Sequence, residues 1–440
     1  MRPSPHPSIF RAWWPLAASW LFMGLEQPLV GAVMARLADP TVHLAALGGI
    51  VFPLALVIEA PIIMLLAAST ALSKHRQAYG LVYRFMMVAG GLLTLLHALL
   101  AFTPLFDLLI VRALRPPPEV VEPARWGLMM MLPFTWSIAY RRFHQGLLIR
   151  QGRSVTVSVG TAVRLLAMLA GVSAAYLLGA PGILVGTAGI AAGVLAEAAF
   201  IGWQVRGSVR ALPPEGEPLS WGAFGRFYVP LAMTSFLLLA VQPLGSAALS
   251  RMPLALASLA AWPVLSAFVF LFRGLGMAFN EVVVAALERP GAWRALRRFS
   301  LQLSLAMTLA LLVVALTPLA RLFFAVVMGL EPDLVLLASN ALLLAVVWPA
   351  ITVYQNLYQG VLVYSGHTRA ITTSVVGSLL VSAALLVAGA LLGTVPGIYV
   401  ATLAFIVGNA LQVVWLALSS RAELRRLEAP EAALAPQGAD

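Results

Sequence analysis

The chain has 440 residues, of which 61% are hydrophobic and only 10% are charged. Soluble domains carry about 25% charged residues and disordered chains are poor in apolar ones, so this composition excludes both an ordinary soluble enzyme and a disordered protein. The net charge of +11 comes from short basic clusters between apolar runs, a pattern typical of a membrane protein rather than of a nucleic-acid-binding protein.

Twelve apolar segments follow one another along the chain, and each is long enough to cross a hydrocarbon core of about 30 Å as a helix. The segments are residues 12–35, 44–71, 81–106, 126–148, 154–178, 182–204, 227–250, 255–287, 299–325, 334–363, 370–392 and 396–419. The first is too long for a signal peptide and has no clear cleavage site, so we interpret it as a span. The sequence therefore predicts an all-α polytopic protein with twelve transmembrane helices and the lipid bilayer as its partner.

Basic residues are distributed unevenly between the loops. The N-terminus, the even-numbered loops and the C-terminal tail hold 20 of the 28 Lys and Arg residues, whereas the odd-numbered loops hold six. This bias predicts that both termini lie in the cytoplasm, as in a multi-pass protein of a bacterial-type inner membrane. Arg141 and Arg142 are counted here as a cytoplasmic cluster that sets the orientation and contacts anionic lipids, with the steering of anionic solutes as the alternative.

Two halves of the sequence resemble each other. Residues 15–36 align without gaps with residues 230–251, at a constant offset of 215. Residues 144–154 align with residues 358–368 at an offset of 214, and a later match passes from 214 to 215 through one inserted residue. Several matches in the same order indicate an internal duplication, with six spans in each half.

The duplication predicts the domain organisation. We expect an N-lobe at residues 1–205, a cytoplasmic linker at 206–221, a C-lobe at 222–420 and a disordered cytoplasmic tail at 421–440. Because each half has an even number of spans, both halves enter the membrane from the same side, and a pseudo-twofold axis along the membrane normal relates them. Paired bundles of this kind are typical of carriers that expose one site to alternate sides of the membrane. We expect a monomer.

Charged residues within the spans are the first candidates for functional sites, because a charge at the bilayer centre costs about 2.5 kcal/mol or more. Six residues qualify: Glu26, Glu59, Glu197, Glu281, Arg164 and Arg273. Glu197 lies among small residues that favour close helix packing, and a satisfied interhelical carboxyl is the favoured interpretation for it.

Glu26 and Glu59 each lie two residues before a proline, near the middle of a span. A proline frees backbone carbonyls beside the carboxylate, and this arrangement predicts an ion-coupling site that binds Na⁺ or H⁺, with Gln27 as a neighbouring ligand. The alternative is a structural role, in which Glu26 pairs with Arg164 or His97. Apart from the coupling ion, we expect no cofactor and no metal.

Arg164 and Arg273 are the predicted contacts of an anionic substrate, because a guanidinium group binds carboxylate or phosphate through two parallel hydrogen bonds. Other polar residues complete the predicted substrate site: His97, Gln242, Asn280, Glu281, Asn356 and Gln359. Amides in membrane helices are more often interhelical hydrogen-bonding groups than substrate contacts, and a buried neutral histidine explains His97 equally well. The second half has Val241 where the first has Glu26, so ion coupling is expected in the N-lobe.

The motifs of soluble and membrane enzymes are missing from the sequence. Its single lysine, Lys74, lies outside any GxxxxGK[ST] motif, and the chain has neither an HExxH motif nor a cysteine. These observations exclude ATP hydrolysis by a P-loop and a Cys-ligated metal. We therefore expect a transporter rather than an enzyme, and a channel or structural module is the alternative of a different class.

Several motifs resemble the multidrug and toxic compound extrusion (MATE) family. They are ARLADPTVHLAALGG after span one, GLLIRQGRS and GVLVYSGHT after spans four and ten, and GAPGILVGT and TVPGIYVAT before spans six and twelve. The resemblance covers essentially the whole chain through degenerate motifs. It implies a V-shaped pair of six-helix bundles and membership of the multidrug, oligosaccharidyl-lipid and polysaccharide exporter (MOP) superfamily, which also holds flippases.

A narrower resemblance is to the progressive ankylosis protein family. It rests on Glu26-Gln27, on HALLAF from His97 and on WPAITVYQNLYQG from Trp348. That family implies ion-coupled antiport or efflux of anionic metabolites such as pyrophosphate, nucleotides or citrate. Export of an organic anion is therefore the first expectation. The alternatives are multidrug efflux and the flipping of a lipid-linked saccharide, which is an amphiphilic substrate.

Overall fold

A computed structural model describes residues 9–287, 291–365 and 367–433, and every regular element within these ranges is helical. The α-helices are α1 (Ile9–Gly24), α2 (Glu26–Met34), α3 (Pro40–Ala46), α4 (Phe52–Ile63), α5 (Leu65–Leu72), α6 (Arg76–Phe102), α7 (Arg112–Leu114), α8 (Pro118–Met130), α9 (Leu132–Arg150), α10 (Ser154–Leu177), α11 (Gly182–Arg210), α12 (Trp221–Leu249), α13 (Ala255–Met277), α14 (Phe279–Leu287), α15 (Ala292–Leu316), α16 (Leu319–Leu322), α17 (Pro332–Ala345), α18 (Trp348–Tyr364), α19 (Thr368–Leu392), α20 (Gly397–Ser419) and α21 (Arg421–Ala433). Three π-helical segments lie at Leu47–Val51, Phe106–Val111 and Phe323–Val327.

Apolar helices of membrane-spanning length dominate these ranges. Eight of them are long and apolar enough to cross a bilayer, and α17 with α18 forms a ninth, bent by 42°. Each of the twelve predicted spans coincides with one helix or with consecutive helical segments. The predicted all-α polytopic fold is therefore confirmed, and the helices are compatible with twelve spans.

Breaks within the spans recur at the repeat spacing. Met64 separates α4 from α5, and Ala278 separates α13 from α14, so the two breaks differ by the offset of 214. In the first half, Pro61 lies three residues before the break and removes one backbone donor from the helix. Because of these breaks, α5 and α14 begin at equivalent positions of the repeat.

Two equivalent glycines allow close helix packing in both halves. A Cβ atom at Gly146 of α9 would overlap the Leu66 carbonyl of α5, and a Cβ atom at Gly360 of α18 would meet Val283 and the Asn280 carbonyl of α14. Gly146 and Gly360 differ by 214, as do Leu66 and Asn280. The same contact is thus made twice, which supports the internal duplication.

The chain forms two compact units that do not coincide with the expected lobes. The N-terminal unit is Val30–Ala260, and the C-terminal unit combines the residues up to Leu29 with those from Ala261 onward. In the C-terminal unit, Trp13 Nε1 of α1 donates to the Leu275 carbonyl of α13 over 2.8 Å. In the N-terminal unit, the Tyr228 hydroxyl of α12 donates to the Pro61 carbonyl of α4.

The packing therefore groups the first helix of each sequence half with helices of the other half. The boundary predicted at 206–221 separates the sequence repeats, and it does not separate the compact units. The side-chain contacts of α1 and α12 explain this difference, since a repeat alignment records ancestry and not which helices pack together.

Residues of the predicted linker are fixed against the start of α6. The backbone N–H of Arg76 donates to the Pro213 carbonyl over 2.9 Å, and Nε2 of His75 lies 2.8 Å from the Glu217 carbonyl oxygen. At the other end of the chain, the predicted disorder of the tail is wrong for α21. Leu424 and Leu427 of this helix pack against the hydrophobic core of the C-terminal unit, while residues 434–440 lie outside the described ranges.

Candidate functional site: two equivalent polar clusters

The N-terminal unit contains a group of charged and amide side chains between α4, α9, α10 and α11, which we call the ion-pair cluster. Its members are Glu59, Arg141, Arg142, Gln145, Arg164 and Glu197. At its centre, Glu197 has a fully buried side chain whose Oε2 accepts from Arg141 Nη1 over 2.7 Å. The other oxygen, Oε1, accepts from Gln145 Nε2 over 2.9 Å.

Helix geometry explains why these side chains meet. Arg141 and Gln145 are four residues apart on α9, so both project from one face. Arg164 of α10 approaches the same carboxylate, with Nη1 3.9 Å from Glu197 Oε2. A Cβ atom at Gly193 of α11 would lie 2.9 Å from the Arg164 carbonyl, so the glycine allows α10 and α11 to approach closely. One carboxylate thus lies between two guanidinium groups and balances the charge of one of them.

Two members of the cluster lack such contacts. The side chain of Glu59 is only 4% exposed, and neither a hydrogen bond nor an ion pair to it exists among the described residues. Its Oε2 atom and the Nε atom of Arg142 are both buried without a hydrogen-bond partner in that part of the chain. The arginines whose charges act on the Glu59 carboxylate are Arg142, Arg141 and Arg164.

A histidine that the sequence analysis missed lies next to this cluster on α9. The Nδ1 atom of His144 donates to the Tyr140 carbonyl over 2.8 Å, because a carbonyl oxygen only accepts. The neutral ring therefore accepts at Nε2 from the Tyr79 hydroxyl, 3.2 Å away. The hydrogen bond to the Tyr140 carbonyl fixes the tautomer of His144, and neighbouring aromatic rings contact it in tilted or edge-on arrangements.

The C-terminal unit contains a second group, between α13, α14, α18 and α20, which we call the amide cluster. Its members are Arg273, Asn280, Trp348, Thr352, Gln355, Asn356 and Gln412. Arg273 Nε donates to Thr352 Oγ1 over 3.0 Å, and the guanidinium carbon lies 4.5 Å from the centre of the Trp348 ring. Within the described ranges, Arg273 has no carboxylate at ion-pair distance.

Neutral hydrogen bonds hold the rest of the amide cluster together. Gln355 Nε2 donates to Gln412 Oε1 over 3.2 Å, and Asn356 Nδ2 donates to the Thr352 carbonyl over 2.8 Å. Asn280 Nδ2 lies 3.5 Å from the Asn356 carbonyl. The Gln355 Oε1 atom is buried without a partner among the described residues, so one strong acceptor in this cluster is unused.

The two clusters occupy equivalent positions of the internal repeat. Arg141, Arg142 and Glu59 correspond to Gln355, Asn356 and Arg273 at the offset of 214, and Glu197 corresponds to Gln412 at 215. The equivalent pairs also make equivalent contacts, since Arg141 bonds Glu197 and Gln355 bonds Gln412. The duplication has thus kept one hydrogen-bonding geometry and changed its charge.

His97 and Glu281 differ from the surroundings expected of substrate contacts. Both ring nitrogens of His97 are occupied, at 2.9 Å from Thr135 Oγ1 and 3.0 Å from the Leu128 carbonyl, and the side chain is fully buried. This geometry favours the interhelical role over substrate contact. Glu281 was expected to be buried and is exposed at the start of α14.

The remaining predicted residues are placed as follows. Glu26 and Gln27 are half-buried in the first turn of α2, Gln359 is half-buried on α18, and the side chain of Gln242 lies outside the described part. Glu26 and Gln27 belong to the C-terminal unit, whereas Glu59 belongs to the N-terminal unit. The ion-coupling role of these three residues stays a prediction.

The interpretation of Arg141 and Arg142 as loop residues is wrong. Both lie within α9, and Arg141 is 6% exposed and pairs with Glu197. The available signal was their position inside the predicted span at 126–148, four and three residues before Gln145. Counting them by charge alone concealed that a buried glutamate on another span required a cationic partner.

Comparisons with known proteins place the fold. No protein-family model matches the chain, and no curated protein sequence matches it. Among solved structures, an inward-facing multidrug resistance MATE family transporter of the MOP superfamily has a TM-score of 0.71 and 15% identity, over 96% of this chain and 99% of the other.

Two further structures share the fold. Lipid II flippase MurJ in an inward closed conformation has a TM-score of 0.67 and 15% identity, over 93% of this chain and 87% of the other. A mutant of the Vibrio cholerae MATE transporter VcmN has a TM-score of 0.64 and 19% identity, over 95% and 96% of the two chains. The chain therefore has the fold of MATE and MOP superfamily transporters over nearly its whole length.

Proposed function

We propose that this protein is a secondary active transporter that exports an organic anion or a phosphorylated metabolite by alternating access. The fold supports transport, because solved structures that share it along nearly the whole chain are membrane transporters. The observation that carries the substrate class is Arg273, a guanidinium group held by neutral partners only, with no carboxylate beside it in the described ranges.

The chemistry of Arg273 suits an anionic group. Its Nε atom is used by Thr352 and its planar face by Trp348, which fixes the guanidinium in one orientation and leaves the terminal N–H donors for a ligand. A carboxylate or phosphate oxygen would receive charge-assisted hydrogen bonds there. Pyrophosphate, nucleotides and citrate, which the narrower family resemblance implies, all present such oxygens.

Ion coupling is proposed for Glu59, with Glu26 and Gln27 as the second candidate position. Glu59 supports this role because its carboxylate is buried and accepts no hydrogen bond from the described residues. A buried carboxylate in that condition gains most from a bound H⁺ or Na⁺. Transport of the anion would then respond to a gradient of that ion.

A second candidate function is the flipping of a lipid-linked saccharide. The N-terminal unit has an apolar groove of about 680 Å³ lined by Trp126, Met129, Met130 and Leu184, among others. A groove of this composition suits an isoprenoid or acyl chain. The fold is shared with lipid II flippase MurJ, and a substrate that combines a diphosphate with a lipid would also use the arginines.

Uptake into proteoliposomes tests these functions against each other. We expect pyrophosphate, a nucleotide or citrate to be transported by the wild type and stimulated by an imposed H⁺ or Na⁺ gradient. Gradient stimulation is expected to disappear in Glu59→Gln or in Glu26→Gln, whichever residue carries coupling. Transport of a cationic dye without any anion would support multidrug efflux, and translocation of a fluorescent lipid-linked saccharide alone would support the flippase.

A further inference from the structure

Two oppositely charged members of the ion-pair cluster have buried polar atoms without a hydrogen-bond partner among the described residues. Glu59 Oε2 and Arg142 Nε are both buried and accept or donate no hydrogen bond among the described residues. More than nine in ten buried polar groups of native proteins are paired, and a charged group left unpaired loses more than a neutral one. These two buried atoms can therefore each form a further bond, to a proton or to a ligand group.

The groups around Glu59 determine the net charge of the ion-pair cluster. Arg141 and Arg142 act on it from α9 and Arg164 from α10, while Glu197 of α11 is already bonded to Arg141. Tyr228 of α12 uses its hydroxyl on the Pro61 carbonyl. With all groups ionised, the three arginines outnumber the two glutamates, so the cluster has one net positive charge.

That charge depends on Glu59 alone. Glu197 accepts hydrogen bonds from Arg141 and Gln145, so a proton on it would disturb an existing contact. Glu59 accepts none among the described residues, so a proton on it breaks no contact there. Protonation of Glu59 would raise the net positive charge of the cluster from one to two and leave Glu197 as the one carboxylate that acts on Arg142 among the described residues.

We propose that Glu59 is a releasable counter-ion of the ion-pair cluster. While ionised, it balances one arginine; when it takes up a proton from solvent, one phosphate or carboxylate group of the substrate takes its place at Arg141 and Arg142. This inference rests on the proposed anion transport and states how ion and substrate are linked. H⁺ and anion then favour each other's binding, by thermodynamic linkage.

The equivalent position in the amide cluster sharpens the proposal. Arg273 stands there instead of Glu59, and Gln355 and Gln412 replace the ion pair. No carboxylate in that cluster can take up a proton, and the arginine is permanently charged. Anion binding to the amide cluster is therefore independent of H⁺, and all proton linkage arises in the N-terminal unit.

Sulfate binding to the purified full-length protein tests the counter-ion, because the charge of sulfate is constant across the relevant pH range. Binding is followed by calorimetry in weak buffer, together with the protons taken up. The wild type is expected to take up about one proton for each sulfate bound at the ion-pair cluster, and the affinity of that site to rise about tenfold for each pH unit lowered while the carboxyl is ionised. In Glu59→Gln, proton uptake is lost and the affinity no longer changes with pH.

Two further variants separate this outcome from misfolding. Glu122→Gln alters an exposed glutamate of the same unit and is expected to keep the wild-type proton uptake. Arg142→Gln is expected to weaken sulfate binding at low pH about tenfold or more. Melting temperatures of all variants identify any that fail to fold.

The possible results distinguish the inference from the function on which it rests. Proton uptake that persists in Glu59→Gln, or affinity that rises with pH in the wild type, overturns the counter-ion, even if anions are transported. If the wild type transports none of pyrophosphate, a nucleotide and citrate, the proposed function is overturned as well. Sulfate binding that follows pH in the wild type and not in Glu59→Gln supports the inference.

Discussion

The ion-pair cluster and the amide cluster share one geometry and differ in charge. In the first, Arg141 and Glu197 form a buried pair at 2.7 Å, and in the second Gln355 and Gln412 form a neutral bond at 3.2 Å. A buried charge requires a partner that an amide does not. The difference teaches that duplication can keep a helix packing and reassign its electrostatics, so one unit can respond to ions while the other holds a fixed positive charge.

Removing one hydrogen-bonding partner from each cluster should give the largest difference in stability between the two clusters. Glu197→Ala leaves Arg141 and Arg164 without the carboxylate between them, and we expect it to lower stability by about 3–5 kcal/mol. Gln412→Ala breaks a neutral hydrogen bond and is expected to cost about 1–2 kcal/mol. Thermal unfolding in detergent measures both. Equal destabilisation would contradict the assignment of the two clusters.

The substrate role of the amide cluster predicts the next largest effect. Arg273→Gln keeps a polar side chain but removes its charge, and we expect anion uptake to fall about tenfold or more, as for loss of a charge-assisted contact of about 1.5–3 kcal/mol. Arg273→Lys should keep part of the activity, because a point charge remains. Arg369→Gln, at an exposed arginine of the same unit, is the matched control and should transport as the wild type does.

The shared packing predicts equal effects in the two units. Gly146→Ala and Gly360→Ala each place a Cβ atom against the neighbouring helix, and overpacking of this kind costs about 1–3 kcal/mol. We expect both variants to lower the melting temperature by similar amounts. A large loss in one and none in the other would show that the contact is not equivalent.

Building an ion pair into the amide cluster should give the smallest effect. Gln412→Glu alone introduces an unpaired buried carboxylate, and Gln355→Arg alone introduces an unpaired guanidinium. Because the double variant rebuilds the ion pair of the other unit, we expect a favourable coupling of about 0.5 kcal/mol or more in a double-mutant cycle. Additive losses would mean that the backbone of α18 and α20 does not reproduce the geometry of α9 and α11.

The sequence predicted the fold well, because long apolar segments and basic loops follow from the bilayer itself. It also singled out Glu59, Arg164 and Arg273, because charge within a span is rare, and the structure places these three residues in the two polar clusters. Residue Arg141 was missed because its partner lies on another helix, 56 positions away.

The composition of the compact units was also beyond sequence reasoning. Repeats reveal which segments are related, whereas α1 and α12 join units according to contacts such as Trp13 with Leu275. Recognising that the two clusters are equivalent required both the sequence and the structure. The offset came from the sequence, and the paired hydrogen bonds that give it meaning came from the structure.

Entrance counterflow tests the proposed anion transport most directly, because only a carrier with a saturable site produces it. Liposomes containing the protein are loaded with unlabelled pyrophosphate and diluted into a trace of labelled pyrophosphate. We expect the label to accumulate transiently above its equilibrium level with the wild type and with Arg369→Gln, and not with Arg273→Gln. No overshoot with the wild type, or the same overshoot with Arg273→Gln, would contradict the account.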